Sequence, residues 1–279
     1  MFMADAQVHI WAPETAQRKW RPGQAVHREI ALGAEELLGE MDAAGVARCV
    51  LIPPYWEGDR HDVVLAAARE HPERFTVMAR PDTEAQAQPG AIAGWMKQAE
   101  VRGIRCSFNR PRQIAMLSEG KAEWLWDEIE EAGAPVMVLL PQSLMPLLEP
   151  VLARHPRLRI ALSHLGLNSH EYDEHAFRDL DRLLALAAWP NASVKFSALP
   201  AYTRDRYPYR RLHPHLRRVY DAFGPRRIFW GTDYARLPCT YSQAVTMYTE
   251  EMPWLTSEDK AWIMGRGLCE WLGWELPSA

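Results

Sequence analysis

The chain has 279 residues, 48% of them hydrophobic and 24% charged, so a sizeable core is available and a disordered chain is excluded. A formal net charge of −4 argues against a nucleic-acid partner, whose binding domains carry a strongly basic face. Four cysteines, at 49, 106, 239 and 269, never form a Cys-x-x-Cys pair, which argues against a zinc ribbon or a disulfide framework and for reduced thiols in a cytoplasmic setting. No secretory signal opens the sequence and no apolar run reaches membrane-span length, so no membrane partner is expected.

In chain order, short apolar runs recur at residues 4–10, 48–53, 75–79, 103–107, 135–140, 159–163, 193–196 and 227–230, each followed by a polar loop and a helix-period segment. Leu37, Leu38, Met41 and Ala44 form one helical stripe before Gly45, and Leu125, Ile129 and Ala132 another before Gly133. Leu144, Leu147, Leu148, Val151 and Leu152 predict a third helix, and Phe177, Leu180, Leu183, Leu184 and Ala187 a fourth before Pro190. Ser257 reads as the N-cap of a last helix running towards Gly273. Parallel neighbours need crossovers, and eight strand–helix units predict an α/β fold, a (β/α)8 TIM-type barrel, as one domain over residues 1–279. The alternative, an open doubly wound sheet, usually has a Gly-rich turn after its first strand; here Trp11-Ala12-Pro13 follows.

Reactive groups of such barrels sit at the C-terminal strand ends. Side chains alternate along a strand, so Gln7 and His9 share a face at the first exit. His164 leaves the sixth strand and Asp233 the eighth. Each alone has an ordinary structural explanation; three on one rim point to chemistry.

The opening Asp5-x-x-x-His9-x-Trp11, the Ser163-His164-Leu165-Gly166 and Val194-Lys195-Phe196-Ser197 segments and the Gly231-Thr232-Asp233 end together resemble the amidohydrolase-related superfamily. The similarity is to its branch of sugar lactonases and 2-pyrone-4,6-dicarboxylate lactonases, with metal-dependent decarboxylases further off. The resemblance implies a (β/α)8 barrel, hydrolysis, and Asp233 as the base that activates water. Metal-dependent members carry His-x-His on strand one, where this chain has Gln7-x-His9, and a His after strand five, where it reads Leu139-Leu140-Pro141. The expectation is therefore a metal-independent site with no cofactor; if one zinc or manganese is kept, its ligands would be His9, His164 and Asp233.

Without a Lewis acid the favoured substrate is a lactone or activated ester. Asp233 would activate water, its pKa raised above ~3.9 by burial, while His9 and His164 polarise the carbonyl oxygen. Gln7, Trp11, Tyr55, Trp56, Arg105, Lys195, Tyr202 and Arg236 are the candidate substrate contacts, the arginines favouring an acidic or oxygen-rich cyclic small molecule. Arg80 reads instead as a structural ion pair. The aromatic, arginine-bearing stretch 198–212 suggests a lid, a subunit interface or packed decoration. His213-Pro214-His215 reads as a helix start rather than a metal pair, and Trp262, Trp271 and Trp274 as core. A homodimer is the common assembly for such an enzyme. The alternatives are a metal-dependent decarboxylase of an unsaturated or aromatic acid, and a barrel with a non-hydrolytic cyclising or binding function.

Overall fold

The computed structural model describes residues 1–24, 26–82 and 90–277. Its strands are β1 (Ala4–Val8), β2 (Arg48–Leu51), β3 (Phe75–Ala79), β4 (Val101–Ser107), β5 (Pro135–Leu139), β6 (Arg159–Leu162), β7 (Ala192–Ser197) and β8 (Ile228–Gly231). All pair in parallel, in the order β1 to β8, and β1 lies against β8 to close a (β/α)8 barrel. At the closing seam the Asp5 side chain stands in for ladder bonds. Its Oδ1 accepts from the backbone N–H of Gln7 (2.8 Å) and of Thr232 (2.9 Å), and its Oδ2 from the hydroxyls of Thr232 and Tyr241.

Alternation along the strands separates two cores. Val77, Val136, Val138, Ile160, Leu162 and Val194 face the helical layer, while Val50, Met78, Met137, Ala161 and Phe229 fill the barrel's interior. The β1–β2 register slips between Asp5 and Val8. The bulge puts Ala6 among the interior apolar residues while the next residue, Gln7, also reaches inward to the pocket. Leu268, Leu272 and Trp274 plug the floor from below, where arginines near the strand starts, Arg48, Arg102 and Arg159, donate to the carbonyl oxygens of Glu275, Gly273 and Trp271. Trp262, Trp271 and Trp274 thus lie away from the mouth, as expected.

Two helix expectations change. The stripe from Leu144 to Leu152 is a 3-10 segment, Gln142–Leu148, followed by an α-helix, Glu149–Arg154, because Pro146 and Pro150 remove backbone donors. The last helix is capped by Thr256, not Ser257: its hydroxyl accepts from Asp259 N–H while the Asp259 carboxylate returns to Thr256. The 198–212 stretch is packed rather than lid-like. Leu199, Tyr202, Tyr209 and Leu212 are buried, and the Tyr207 hydroxyl bonds Thr246 at 2.8 Å. His213 begins the helix His213–Phe223, and His215 stacks on Phe177 and pairs with Glu174. Among the described residues no helix is long and apolar enough to cross a membrane.

Candidate functional site

Two of the three rim groups leave their strands through left-handed backbone. After β6 the chain passes His164 (φ 54°), Leu165 (φ 53°) and Gly166 (φ 67°), and after β8 Asp233 has φ 51°. Such conformations cost non-glycine residues energy and are held by their surroundings. Here the Asp233 N–H donates to Gln7 O at 2.8 Å and Leu167 N–H to His164 O at 3.0 Å. Glycine is required beside both. A Cβ on Gly166 would strike Met145 Cε and stand 2.6 Å from Leu140 O, and one on Gly231 would press on Asp5 Oδ1 at 3.0 Å.

Asp233 lies at the centre, its side chain 2% exposed. His9 Nε2 is 3.5 Å from its Oδ1, and His164 Nε2 and Arg236 Nη1 are 3.7 and 3.6 Å from its Oδ2. Among the described residues no hydrogen bond reaches Asp233 Oδ1. The imidazoles are oriented by their far sides. His9 Nδ1–H donates to Ile52 O at 2.7 Å, turning the Nε2 lone pair towards the carboxylate. Lys195 Nζ donates to Gln7 Oε1 at 2.6 Å, which leaves the Gln7 amide nitrogen to donate to His164 Nε2 at 3.0 Å. His164 Nδ1 then carries the proton, facing Ser197 O and Oγ at 3.2 and 2.9 Å.

Burial holds His9 and His164 below the ordinary histidine value, so both are neutral near pH 7. Burial acts on Asp233 in the raising direction, but His9, His27, His164 and Arg236 around it prevail, and its pKa falls below the usual carboxylate range. The expected upward shift is thereby corrected: burial was counted and the cationic and polar surroundings were not.

A pocket of about 540 Å³ opens over this centre. Gln7, Tyr55, Trp56, Arg105, Tyr202 and Arg236 line it, together with His9, His164 and Asp233. Two expected contacts lie elsewhere. Trp11 is buried behind Trp56, ring edge to ring face at 5.1 Å, and Lys195 sits beneath the floor, bonded to Gln7, Ala6 O and Met137 sulfur. Arg80, read as a structural ion pair, instead forms part of the wall; its Nε has no partner and no carboxylate lies within 4 Å among the described residues. Arg110 joins it, its guanidinium 3.4 Å from the Tyr55 ring centroid. Asp233 is the single carboxylate among the described lining residues, against the four guanidiniums of Arg80, Arg105, Arg110 and Arg236. Burial draws Arg80 and Arg105 down to about 10, which leaves both charged at neutral pH.

Sequence reasoning missed His27. It lies in the connection between β1 and the helix Ala34–Ala43, and its Nδ1 reaches to 3.9 Å from Asp233 Oδ1. No periodic pattern marks that stretch. The one available signal was a histidine in a connection too long for a simple strand–helix turn.

A family model described as Amidohydrolase matches residues 4–266. The L-fucono-1,5-lactonase of Burkholderia ambifaria is 26% identical over 250 residues, covering 84% of this chain and 80% of that protein. Among solved structures, an amidohydrolase of Burkholderia multivorans with bound zinc superposes with a TM-score of 0.81 at 19% identity, over 98% of this chain and 99% of that one. A protein of Acinetobacter baumannii described as a probable 2-pyrone-4,6-dicarboxylic acid hydrolase, with citric acid bound, gives 0.76 at 15% identity, over 98% and 100%.

Proposed function

The chain belongs to the amidohydrolase family, and from that premise we propose that it hydrolyses a lactone bearing a carboxylate, with Asp233 as the proton acceptor for the attacking water. The observation that carries this reading is charge: three guanidiniums, Arg80, Arg105 and Arg110, face one pocket with no carboxylate within 4 Å among the described residues. Each has a neutral hydrogen-bond acceptor, Gly58 O, Ser163 Oγ and Gln24 Oε1, but buried or half-buried cations without a counter-charge are costly, and an anionic substrate would supply one. The similarity to an L-fucono-1,5-lactonase supports a cyclic ester as the reacting group.

Asp233 is ionised, buried and short of one hydrogen-bond partner, which suits it to hold a water. As the water oxygen attacks the lactone carbonyl carbon, its proton passes to Asp233 and the carbonyl π pair moves to oxygen. Collapse expels the ring oxygen, which takes that proton back, and the product is a hydroxy acid. A carboxylate of low pKa is a weak base, so the reading favours a reactive acyl group over an amide.

The role first assigned to His9 and His164 moves to other groups. In their neutral forms both direct their N–H away from the mouth, to Ile52 O and to Ser197. The donors able to meet a developing oxyanion are the guanidiniums of Arg105 and Arg236 and the Tyr202 hydroxyl, itself bonded to Arg236 at 3.3 Å.

The test follows proton release from carboxylated lactones, neutral sugar lactones and simple amides. Carboxylated lactones should be turned over best, and Asp233→Asn should lower kcat by about 10³-fold. Arg105→Gln should raise KM for a carboxylated lactone by roughly 10-fold while barely moving it for a neutral one. Wild-type kcat in Asp233→Asn, or amide hydrolysis without lactone hydrolysis, would overturn the reading.

A further inference from the structure

Three guanidiniums gather on one phenol ring in the pocket wall. Arg110 Cζ lies 3.4 Å from the Tyr55 ring centroid, Arg21 Cζ 4.4 Å and Arg80 Cζ 5.3 Å. Like charges collected in one place repel, and the electron-rich ring is the feature that attracts all three. Tyr55 also divides two spaces. Arg110 lines the mouth pocket but not the smaller chamber behind it, Arg21 lines that chamber but not the mouth, and Tyr55 and Arg80 line both. The chamber, about 20 Å³, has room for a single water.

On the reading of an anionic substrate, we propose that Tyr55 is a positioning residue: its ring, backed by Arg21, presents the Arg110 and Arg80 guanidiniums to the substrate's carboxylate. The backing is fixed. Arg21 Nη2 donates to Asp59 Oδ1 at 2.8 Å, so its charge is answered within the lining of the chamber. The Arg21 backbone N–H donates to Trp56 O at 2.7 Å, and Trp56 is buried. The ring stands on a tight turn, Tyr55–Glu57, entered through Pro53-Pro54 and closed by Gly58 N–H on Tyr55 O at 3.1 Å. Arg80 donates to Gly58 O, so the same turn carries the ring and holds one of its cations.

Arg110 and Arg80 differ from Arg21 in having no carboxylate within 4 Å among the described residues. Arg110 is held instead by the ring and by the neutral Gln24 Oε1 at 3.0 Å. A free arginine side chain gives up rotamers when it binds an anion. One already packed on a ring has given them up beforehand, and the anion binds more tightly for it. The ring supplies this order without a formal charge. A carboxylate in its place would also hold the arginines, but would cancel the charge that the substrate must find. Tyr55 thus acts through its arginines, and its hydroxyl is dispensable to that role.

Tricarballylate, an unreactive tricarboxylate, is titrated calorimetrically into the full-length protein, with its uncharged triamide as the control. The wild type should bind the anion at least about 10-fold more tightly than the triamide. Tyr55→Leu should weaken anion binding by about 10-fold, and Tyr55→Phe, which keeps the ring, by less than about 2-fold. Arg110→Gln should also cost about 10-fold, and adding Tyr55→Leu to it should cost little more, because the ring then has less to hold. Tyr55→Met repeats the leucine test with a longer side chain, and thermal denaturation checks that each variant folds. No turnover is involved, so a wild type that binds tricarballylate but opens no lactone defeats the hydrolytic reading alone. Equal losses in Tyr55→Phe and Tyr55→Leu, unchanged affinity in both non-aromatic variants, additive losses with Arg110→Gln, or a wild type that binds anion and triamide alike would overturn the proposal.

Discussion

Gln7 accepts from Lys195 and donates to His164, so three buried polar side chains satisfy one another in a row. No carboxylate lies within 4 Å of Lys195 among the described residues, and burial pushes its ammonium well below the ordinary lysine value. Gln7→Leu strands both neighbours and should cost about 1–3 kcal/mol in urea denaturation. Adding Lys195→Met should recover part of that loss, because the stranded amine is gone; additive losses would deny the coupling. At this scale the sequence was partly legible. Alternation placed Gln7 and His9 on one face, and both line the pocket. What alternation cannot supply is the partner of each imidazole nitrogen. Gln7 was read as a substrate contact standing where metal-dependent members have a histidine; it lines the pocket and also braces His164, fixing its tautomer. His27 was invisible because a loop residue reaches a site through tertiary contacts, here with Trp56, that leave no period in the sequence.

The strands were legible as elements because each is a short apolar run bounded by polar residues, and all eight appear within a few positions of their expected limits. Their exits were legible only as motifs. Gly166 owes its place to two separate demands, a left-handed φ of 67° and contact with Met145 and Leu140 O. Gly166→Ala should therefore destabilise by roughly 2–4 kcal/mol, combining backbone strain with overpacking. Gly133 has φ 61° but no atom within 4 Å of a Cβ, so Gly133→Ala should cost only about 1–2 kcal/mol. Equal losses in chemical denaturation would mean that space at Gly166 is immaterial. The prolines at 146 and 150 show the opposite failure: the leucine stripe was real, but hydrophobic period alone does not report missing donors.

The barrel as a whole closes on Asp5, which joins β1 to residues 227 and 236 positions later in the chain. Burial raises its carboxyl to about 6, against the opposing pull of the Thr232, Tyr241 and Gln7 hydrogen bonds. A folded-state pKa above the unfolded one means that the folded chain binds the extra proton. Its contribution is thus complete below about pH 4 and is lost as pH rises through about 6. Comparing the wild type with Asp5→Asn across pH 4–7 should reveal a falling component of on the order of 2–3 kcal/mol in the wild type alone. Parallel pH profiles would remove Asp5 from that role. Asp5 was legible in the sequence only as the first residue of a motif, since its work depends on which strand ends meet.

The pocket's arginines also act beyond their contact distance. The chain carries a net charge of −4, yet the described residues of its mouth gather four guanidiniums around one carboxylate. An approaching anion is opposed by the chain's net charge and drawn in at the mouth, so productive collisions should concentrate at the open end of the barrel. That funnel reaches only about 8–10 Å in physiological salt. Encounter with an acidic lactone is accordingly fastest in dilute buffer and slows as ions are added, whereas a neutral lactone arrives at the same rate in both.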